Sequence, residues 1–368
     1  MSHPIRSALS LLIAALACLA LTPFAKAQSV DWASKAQGLD ITLKDVAFAD
    51  GERMAKVKMH VTTLGTPHRD AKGAIDNAVM VLHGTGGTGA QFFRPQFADE
   101  LYGPGQPLDV ATHYVILPDN IGHGKSSKPS DGMRMAFPKY DYADMVVAQR
   151  RMLTEGLGVS KLQLILGTSM GCMHAFVWGE MFPGFARRLA PFACNAVELG
   201  GRNRVWRKMS IDAIEADPLW NGGNYTAPPA QGLRTMRDLS LIAGGNPLAW
   251  QFFQPTRAKA EAFLAQAETA YAATANDAND TIYQLDSSRN YDPSRALEKI
   301  TVPVLWINSA DDFINPPELG MAEKLVKRMP RARFRLIPVS PETKGHGTHT
   351  WAKFWKADLA KLLAEDPK

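Results

Sequence analysis

Cysteine is scarce in this chain: three in 368 residues. So few exclude a fold that depends on a disulfide framework. Cys18 lies near the start, leaving Cys172 and Cys194, and neither has a metal-like spacing with histidine. Two buried thiols are the expectation for that pair, with a disulfide as the alternative. Charge of one sign is also scarce. Lys and Arg number 41 against 36 Asp and Glu, a net charge of +5. No Lys/Arg run occurs, so nucleic acid is not an expected partner. Beyond the first residues no long apolar run exists, so no membrane span is expected there. No internal repeat or low-complexity tract is visible. An apolar fraction of 46% is ample for a globular core.

The one apolar run near the start has its own reading. Arg6 gives a positive beginning, Ala8 to Leu21 an apolar stretch too short for an easy span, and Ala25-Lys26-Ala27 an A-x-A cleavage site. Residues 1–27 therefore read as a secretory signal peptide, cleaved after Ala27, with an uncleaved anchor as the alternative. Ala17-Cys18 hints at lipidation, but Ala15 is a poor start to a lipoprotein signal. Removing Arg6 and Lys26 takes the net charge from +5 to +3. The expected location is secreted or periplasmic, with no membrane contact after signal removal. Oligomeric state is left open.

What the chain does have is a motif in a specific setting. Lys161 to Leu166 reads as a buried strand, Gly167-Thr168-Ser169-Met170-Gly171 follows, and Cys172 to Met181 reads as a helix. Strand, G-x-S-x-G and helix make a nucleophile elbow: a tight turn whose glycines avoid clashes and whose serine Oγ stands above the sheet. A serine nucleophile needs a base, and the base needs an orienting carboxylate. Both follow in the order Ser, acid, His. Asp311-Asp312 comes after a strand at Val302 to Ile307, and Asp312 is preferred, with Asp311 a solvated loop charge. Lys344-Gly345-His346-Gly347-Thr348-His349 comes after the last strand. His346, between glycines, is preferred over His349, which instead starts the next helix. The oxyanion hole needs two backbone N–H donors. Met170 should supply one, and Thr85, in the glycine loop His83 to Gly87, the other.

Two neighbouring patterns are decoys. Gly84-Thr85-Gly86-Gly87-Thr88-Gly89 matches G-x-G-x-x-G, but Asp109 precedes the next strand where a dinucleotide site needs an acid at its end. His123, in Asp119 to Ser126, precedes the serine and breaks the triad order, so it reads as structural. No cofactor and no metal are expected.

Along the chain, residues 28–38 read as a poorly ordered leader. Ile41 to Ala49 and Ala55 to Thr63 alternate around Asp50-Gly51 as a hairpin. Ala78 to Leu82, Tyr114 to Leu117, Arg188 to Cys194 and Phe334 to Val339 read as further strands. Tyr142 to Leu157, Glu318 to Met329 and Thr348 to Leu363 read as helices. Such alternation implies an α/β fold, a mostly parallel central sheet with helices on both faces. Residues 196–295 contain no good strand and read as a helical cap insertion. Residues 28–195 and 296–368 then form the core. Trp206, Trp220, Tyr225, Trp250, Phe252 and Phe253 are candidate walls of an acyl pocket, though at least half are expected to pack only the cap.

With these motifs assembled, the chain resembles the α/β-hydrolase superfamily. Longer stretches are similar to its homoserine O-acetyltransferase-like branch: Leu101 to Gly105, Phe137-Pro138, Asp144 to Val146, Gly167 to Met173, Asp217 to Trp220, Gly223 to Tyr225, Gly232-Leu233, Asp312 to Glu318 and Gly345-His346. The resemblance implies an acyl-enzyme chemistry on a small-molecule acyl or ester substrate. Departures from the acetyltransferase pattern at Cys172, His174 and Asp119 to Ser126, with the signal peptide, favour water as the acyl acceptor. The expectation is a serine hydrolase. An acyltransferase using the same triad is the alternative, and a non-catalytic binding module on the same fold is the rival from another class.

Overall fold

The computed structural model describes residues 29–272 and 276–367. The signal-peptide reading lies outside them. Residues 31–368 cluster as one compact unit. Its centre is an eight-stranded sheet in the order β1-β2-β4-β3-β5-β6-β7-β8. The strands are β1 Gln37–Ala47, β2 Arg53–Leu64, β3 Ala78–Leu82, β4 Tyr114–Pro118, β5 Leu164–Thr168, β6 Leu189–Phe192, β7 Val304–Ser309 and β8 Ala332–Ile337. β1 pairs β2 antiparallel, and β2 pairs β4 antiparallel. Every other pairing is parallel. The composition of the strands explains the layers. β3 to β7 are buried at every position, as strands covered on both faces must be. β2 alternates through Val57, Met59 and Val61, because only one of its faces meets the core.

The helices are α1 Pro95–Leu101, α2 Tyr142–Arg151, α3 Met170–Met181, α4 Gly201–Glu215, α5 Ala230–Gly244, α6 Pro247–Phe253, α7 Arg257–Ala272, α8 Ala278–Asp286, α9 Met321–Leu325 and α10 Lys356–Ala364. One apolar cluster packs Met145, Phe176 and Trp178 against one face of the sheet. Another packs Phe97, Trp355 and Leu359 against the other. Between β6 and β7 the described residues form α4 to α8 and short turns, with no strand. Those helices have their own small cluster around Ile214, Leu233 and Ile282. No helix among the described residues is long and apolar enough to cross a membrane.

Three sequence expectations change here. The leader is anchored: Trp32 is buried, its Nε1–H donates to Asp99 Oδ1 at 2.8 Å, and β1 already begins at Gln37. A single large apolar side chain supplied the anchor that composition did not reveal. The helix expected over 318–329 is cut short, because Gly320 takes a left-handed φ of 58° and restarts the chain as α9. The helix expected from Thr348 begins only at Lys356. Tight turns at Gly345–Thr350 and Ala352–Phe354 come first, bending the chain so that His346 faces the sheet end.

Candidate active site

The parallel strands set the site. Loops leaving the carboxyl ends of β3, β5, β7 and β8 carry Thr85, Ser169, Asp312 and His346. Ligands in open α/β sheets collect at this edge.

Ser169 sits between β5 and α3 at φ 55° and ψ −110°, a conformation that costs energy for a residue with a Cβ. Its surroundings enforce it. Ser169 N–H donates to Phe192 O at 2.9 Å, and Gly171 N–H to His83 O at 3.0 Å. The glycines are required by contact. A Cβ on Gly167 would stand 1.9 Å from Gly171 O, and one on Gly171 2.2 Å from Leu82 O. Gly84 closes against the serine, where a Cβ would come 3.2 Å from Ser169 Cβ.

Ser169 Oγ lies 2.8 Å from His346 Nε2, and His346 Nδ1 lies 2.9 Å from Asp312 Oδ2. Asp312 is buried, and four donors meet its carboxylate. Oδ1 accepts from the amides of Ile314 at 2.8 Å and Asn315 at 3.1 Å, and Oδ2 from Asn315 Nδ2 at 3.0 Å and from His346. Burial alone would raise this carboxyl, but His346 and the Asn315 donors outweigh it and hold it below the ordinary value. An ionised acceptor facing Nδ1 puts the imidazole proton there and leaves Nε2 free to take one from serine.

Asp311 is not a solvated charge. Its Oδ2 accepts from Asn246 Nδ2 at 2.5 Å, Thr343 Oγ1 at 2.7 Å and Gly345 N–H at 3.1 Å. It thus ties the residue before His346 to the turn between α5 and α6. His349 packs against His346 with ring centroids 5.0 Å apart and donates from Nδ1 to the His346 carbonyl. Burial, with help from His346, pushes its imidazole down to about 3, so it stays neutral beside the relay. Sequence reasoning missed Asn315; the spacing Asp-x-x-Asn after a strand was its only signal.

The amides of Thr85 and Met170 donate to no acceptor among the described residues. Met170 opens α3, where a helix leaves its N–H groups unpaired, so both are available to an anion. The glycine loop contains no dinucleotide helix: Gly89–Phe93 is a short turn, and Asp119 Oδ1 accepts from Gly89 N–H at 2.8 Å. His123 is fully buried and faces His83 at 5.0 Å between ring centroids, away from the relay's hydrogen bonds.

Cys172 and Cys194 are joined as a disulfide, which overturns the expectation of two thiols. Sequence separation of 22 gave no hint that the elbow helix and the segment just after β6 bring the two within 5.9 Å Cα to Cα. Closing a loop of that size should stabilise the fold by about 3 kcal/mol. A Cys172→Ala/Cys194→Ala variant is expected to lose about that amount in urea unfolding, and a midpoint equal to that of the parent protein would show that the bridge contributes nothing.

Above the relay lies a cavity of about 650 Å³. Ser169, His346, Thr85 and Met173 line it from below, and Trp206, Arg207, Met236, Leu241 and Tyr271 from the helical segment. Of the six aromatic residues expected as walls, only Trp206 lines it. Trp220 and Tyr225 pack in the helical cluster, Trp250 packs on Phe263, and Phe252 and Phe253 are exposed. Aromatic content does not tell a helix's inner face from its outer one.

Comparison with known proteins agrees with this architecture. The α/β hydrolase fold family matches residues 77–341. A homoserine O-acetyltransferase of Solidesulfovibrio magneticus is 39% identical over 184 residues, 45% of this chain and 46% of that one. The chain thus spans about half the length of that relative. Another homoserine O-acetyltransferase, of Carboxydothermus hydrogenoformans, is 27% identical over 315 residues, 75% of this chain and 81% of that one. Among solved structures, a homoserine O-acetyltransferase from Bacillus anthracis has a TM-score of 0.78 at 21% identity, covering 90% of this chain and 99% of that one. An acetylester hydrolase from Corynebacterium glutamicum has a TM-score of 0.77 at 22% identity, covering 89% and 96%.

Proposed function

The chain belongs to the α/β-hydrolase family, in its homoserine O-acetyltransferase-like branch, and from that premise we propose that it is a secreted or periplasmic serine hydrolase of small acyl esters. The observation that carries the reading is the unbroken relay from Ser169 Oγ through His346 to buried Asp312. Ser169 Oγ would bond to the ester carbonyl carbon while its proton passes to His346 Nε2. The C=O electron pair would move onto oxygen, where the Thr85 and Met170 amides receive it. The C–O bond to the alcohol would then break, with His346 returning the proton to the leaving oxygen. Water, deprotonated by the same imidazole, would attack the acyl-enzyme carbonyl; the bond to Ser169 Oγ would then break as His346 returns the proton to that oxygen, releasing the acid and restoring the serine. This chain's own groups suffice for each step.

Residues 196–295 would act as the cap that walls the acyl pocket, and 28–195 with 296–368 as the core. The disulfide supports an oxidising compartment, and so does the A-x-A segment at Ala25 to Ala27. Transfer to an alcohol is the second reading, favoured by the acetyltransferase and acyltransferase names of its sequence relatives.

The two readings separate in one assay. The purified protein should hydrolyse p-nitrophenyl esters of graded chain length, and added homoserine should divert little of the acyl-enzyme. Dominant ester formation with homoserine would make it a transferase. Trp206→Ala should enlarge the pocket and shift relative kcat/KM toward longer acyl chains, because specificity is a difference in transition-state binding. Trp220→Phe, which removes a bond from Nε1–H to Asn279 Oδ1, should lower stability and leave that profile unchanged. Identical profiles for Trp206→Ala and the parent protein would remove Trp206 from the acyl wall.

A further inference from the structure

A cation lines the cavity without a counter-ion. Arg207 falls on the buried stripe of α4, with Asn203, Ser210, Ile211 and Ile214, and is 2% exposed. Its Nε donates to Asn203 Oδ1 at 3.0 Å, its Nη1 to Leu285 O at 3.3 Å and its Nη2 to Thr85 Oγ1 at 3.2 Å. All three acceptors are neutral. No carboxylate among the described residues pairs with it, whereas its neighbour Arg204 pairs with Asp286. Buried charges are ordinarily paired, since desolvation of a lone ion is costly. This exception shares a cavity with Ser169 and is hydrogen-bonded to the residue whose free amide faces the site.

We propose that Arg207 is a positioning residue for the oxyanion hole, and that its unpaired charge is matched only when negative charge develops on the substrate's carbonyl oxygen. The inference rests on the acyl-enzyme reading above. Two physical effects follow from the geometry. The guanidinium holds Thr85 from the helical segment, so the Thr85 amide is fixed before substrate arrives. A fixed cation in a low-dielectric site also favours the oxyanion over the neutral carbonyl without reorganising at the moment of reaction. Both act on the transition state more than on bound ester, so Arg207 should appear in kcat and not in KM. The oxyanion hole would then be complete only with α4 in place, which couples the position of the cap to the rate.

The test uses Arg207→Met, Arg207→Lys and Thr85→Val, with p-nitrophenyl acetate as substrate. A small alkylboronic acid, whose adduct with Ser169 Oγ is a tetrahedral anion, serves as the inhibitor. Arg207→Met should lower kcat by about 10- to 100-fold with KM nearly unchanged, and weaken the boronate by the same factor as kcat/KM. Arg207→Lys, which keeps the charge, should recover part of both. Thr85→Val keeps the amide but removes the acceptor, and in that background Arg207→Met should cost less than in the parent. The proposal is overturned if Arg207→Met or Thr85→Val leaves kcat and boronate affinity unchanged, if only KM rises, or if the loss is confined to esters bearing a carboxylate. Should Arg207→Met not fold, Arg207→Lys and Thr85→Val decide it. Fluorophosphonate labelling of Ser169 in every variant separates this result from a failure of the hydrolase reading, which would show as esterase activity independent of Ser169.

Discussion

Ser169→Ala is expected to lower ester turnover by several powers of ten while leaving the fold in place. Removing the nucleophile leaves only the catalysis that the oxyanion donors and substrate binding supply. The fold should persist because, among the described residues, the Ser169 hydroxyl bonds only to His346, while the elbow is enforced by backbone contacts at Gly167, Gly171 and Phe192. Alanine carries the same Cβ at φ 55° and adds no new strain. A fluorophosphonate should add to Ser169 Oγ, with fluoride leaving and the serine proton taken by His346. Mass spectrometry of the labelled peptide covering 167–171 checks this, and covalent labelling that persists in Ser169→Ala would place the nucleophile elsewhere. Circular dichroism and the thermal midpoint check that the variant remains folded.

Asp312→Asn is expected to cost about 10⁴-fold in kcat, far more than Asp311→Asn. The four donors around Asp312 explain why an isosteric amide fails. With its oxygen toward the Ile314 and Asn315 amides, the new NH₂ faces His346 Nδ1 and Asn315 Nδ2. Nδ1 must then accept, the imidazole proton moves to Nε2, and the serine loses its base. With the amide reversed, NH₂ meets two backbone N–H groups and no acceptor. His346→Ala should reduce kcat as severely, since the base itself is gone. Asp311→Asn keeps an oxygen for some of its three donors and should cost about tenfold, through looser placement of the backbone before His346. Its effect should appear with a drop in thermal midpoint, because the same carboxylate joins Asn246 to Thr343. Equal losses at the two aspartates would mean that Asp311 supports the imidazole directly.

How much of this was legible in the sequence depends on the range of the interaction responsible. Ser169 and His346 could be named because their turns are local. Glycines flank each, and strand and helix patterns bracket them. Asp312 could be preferred for its place after a strand, yet the role of Asp311 was misjudged. Its partners Asn246 and Thr343 lie 65 and 32 residues away, and no local pattern reports them. The leader was misread for the same reason, since Trp32 finds Asp99 across 67 residues. Arg207 left no local trace, because the buried stripe of α4 that it falls on also carries Asn203 and Ser210, and its meaning needed Thr85, 122 residues earlier.

The sequence by itself determined the α/β class, the hairpin edge, the strand-free block between β6 and β7, and the identity of the elbow serine. Hydrophobic period and turn chemistry act over a few residues and are written in residue order. Only the tertiary structure decided that Cys172 and Cys194 are bonded, and that Trp206 alone of six aromatics faces the cavity. It also decided that a buried arginine stands against the oxyanion loop. Those outcomes depend on which faces of distant elements meet when the sheet and the helical segment pack, and that choice is made by the whole core at once.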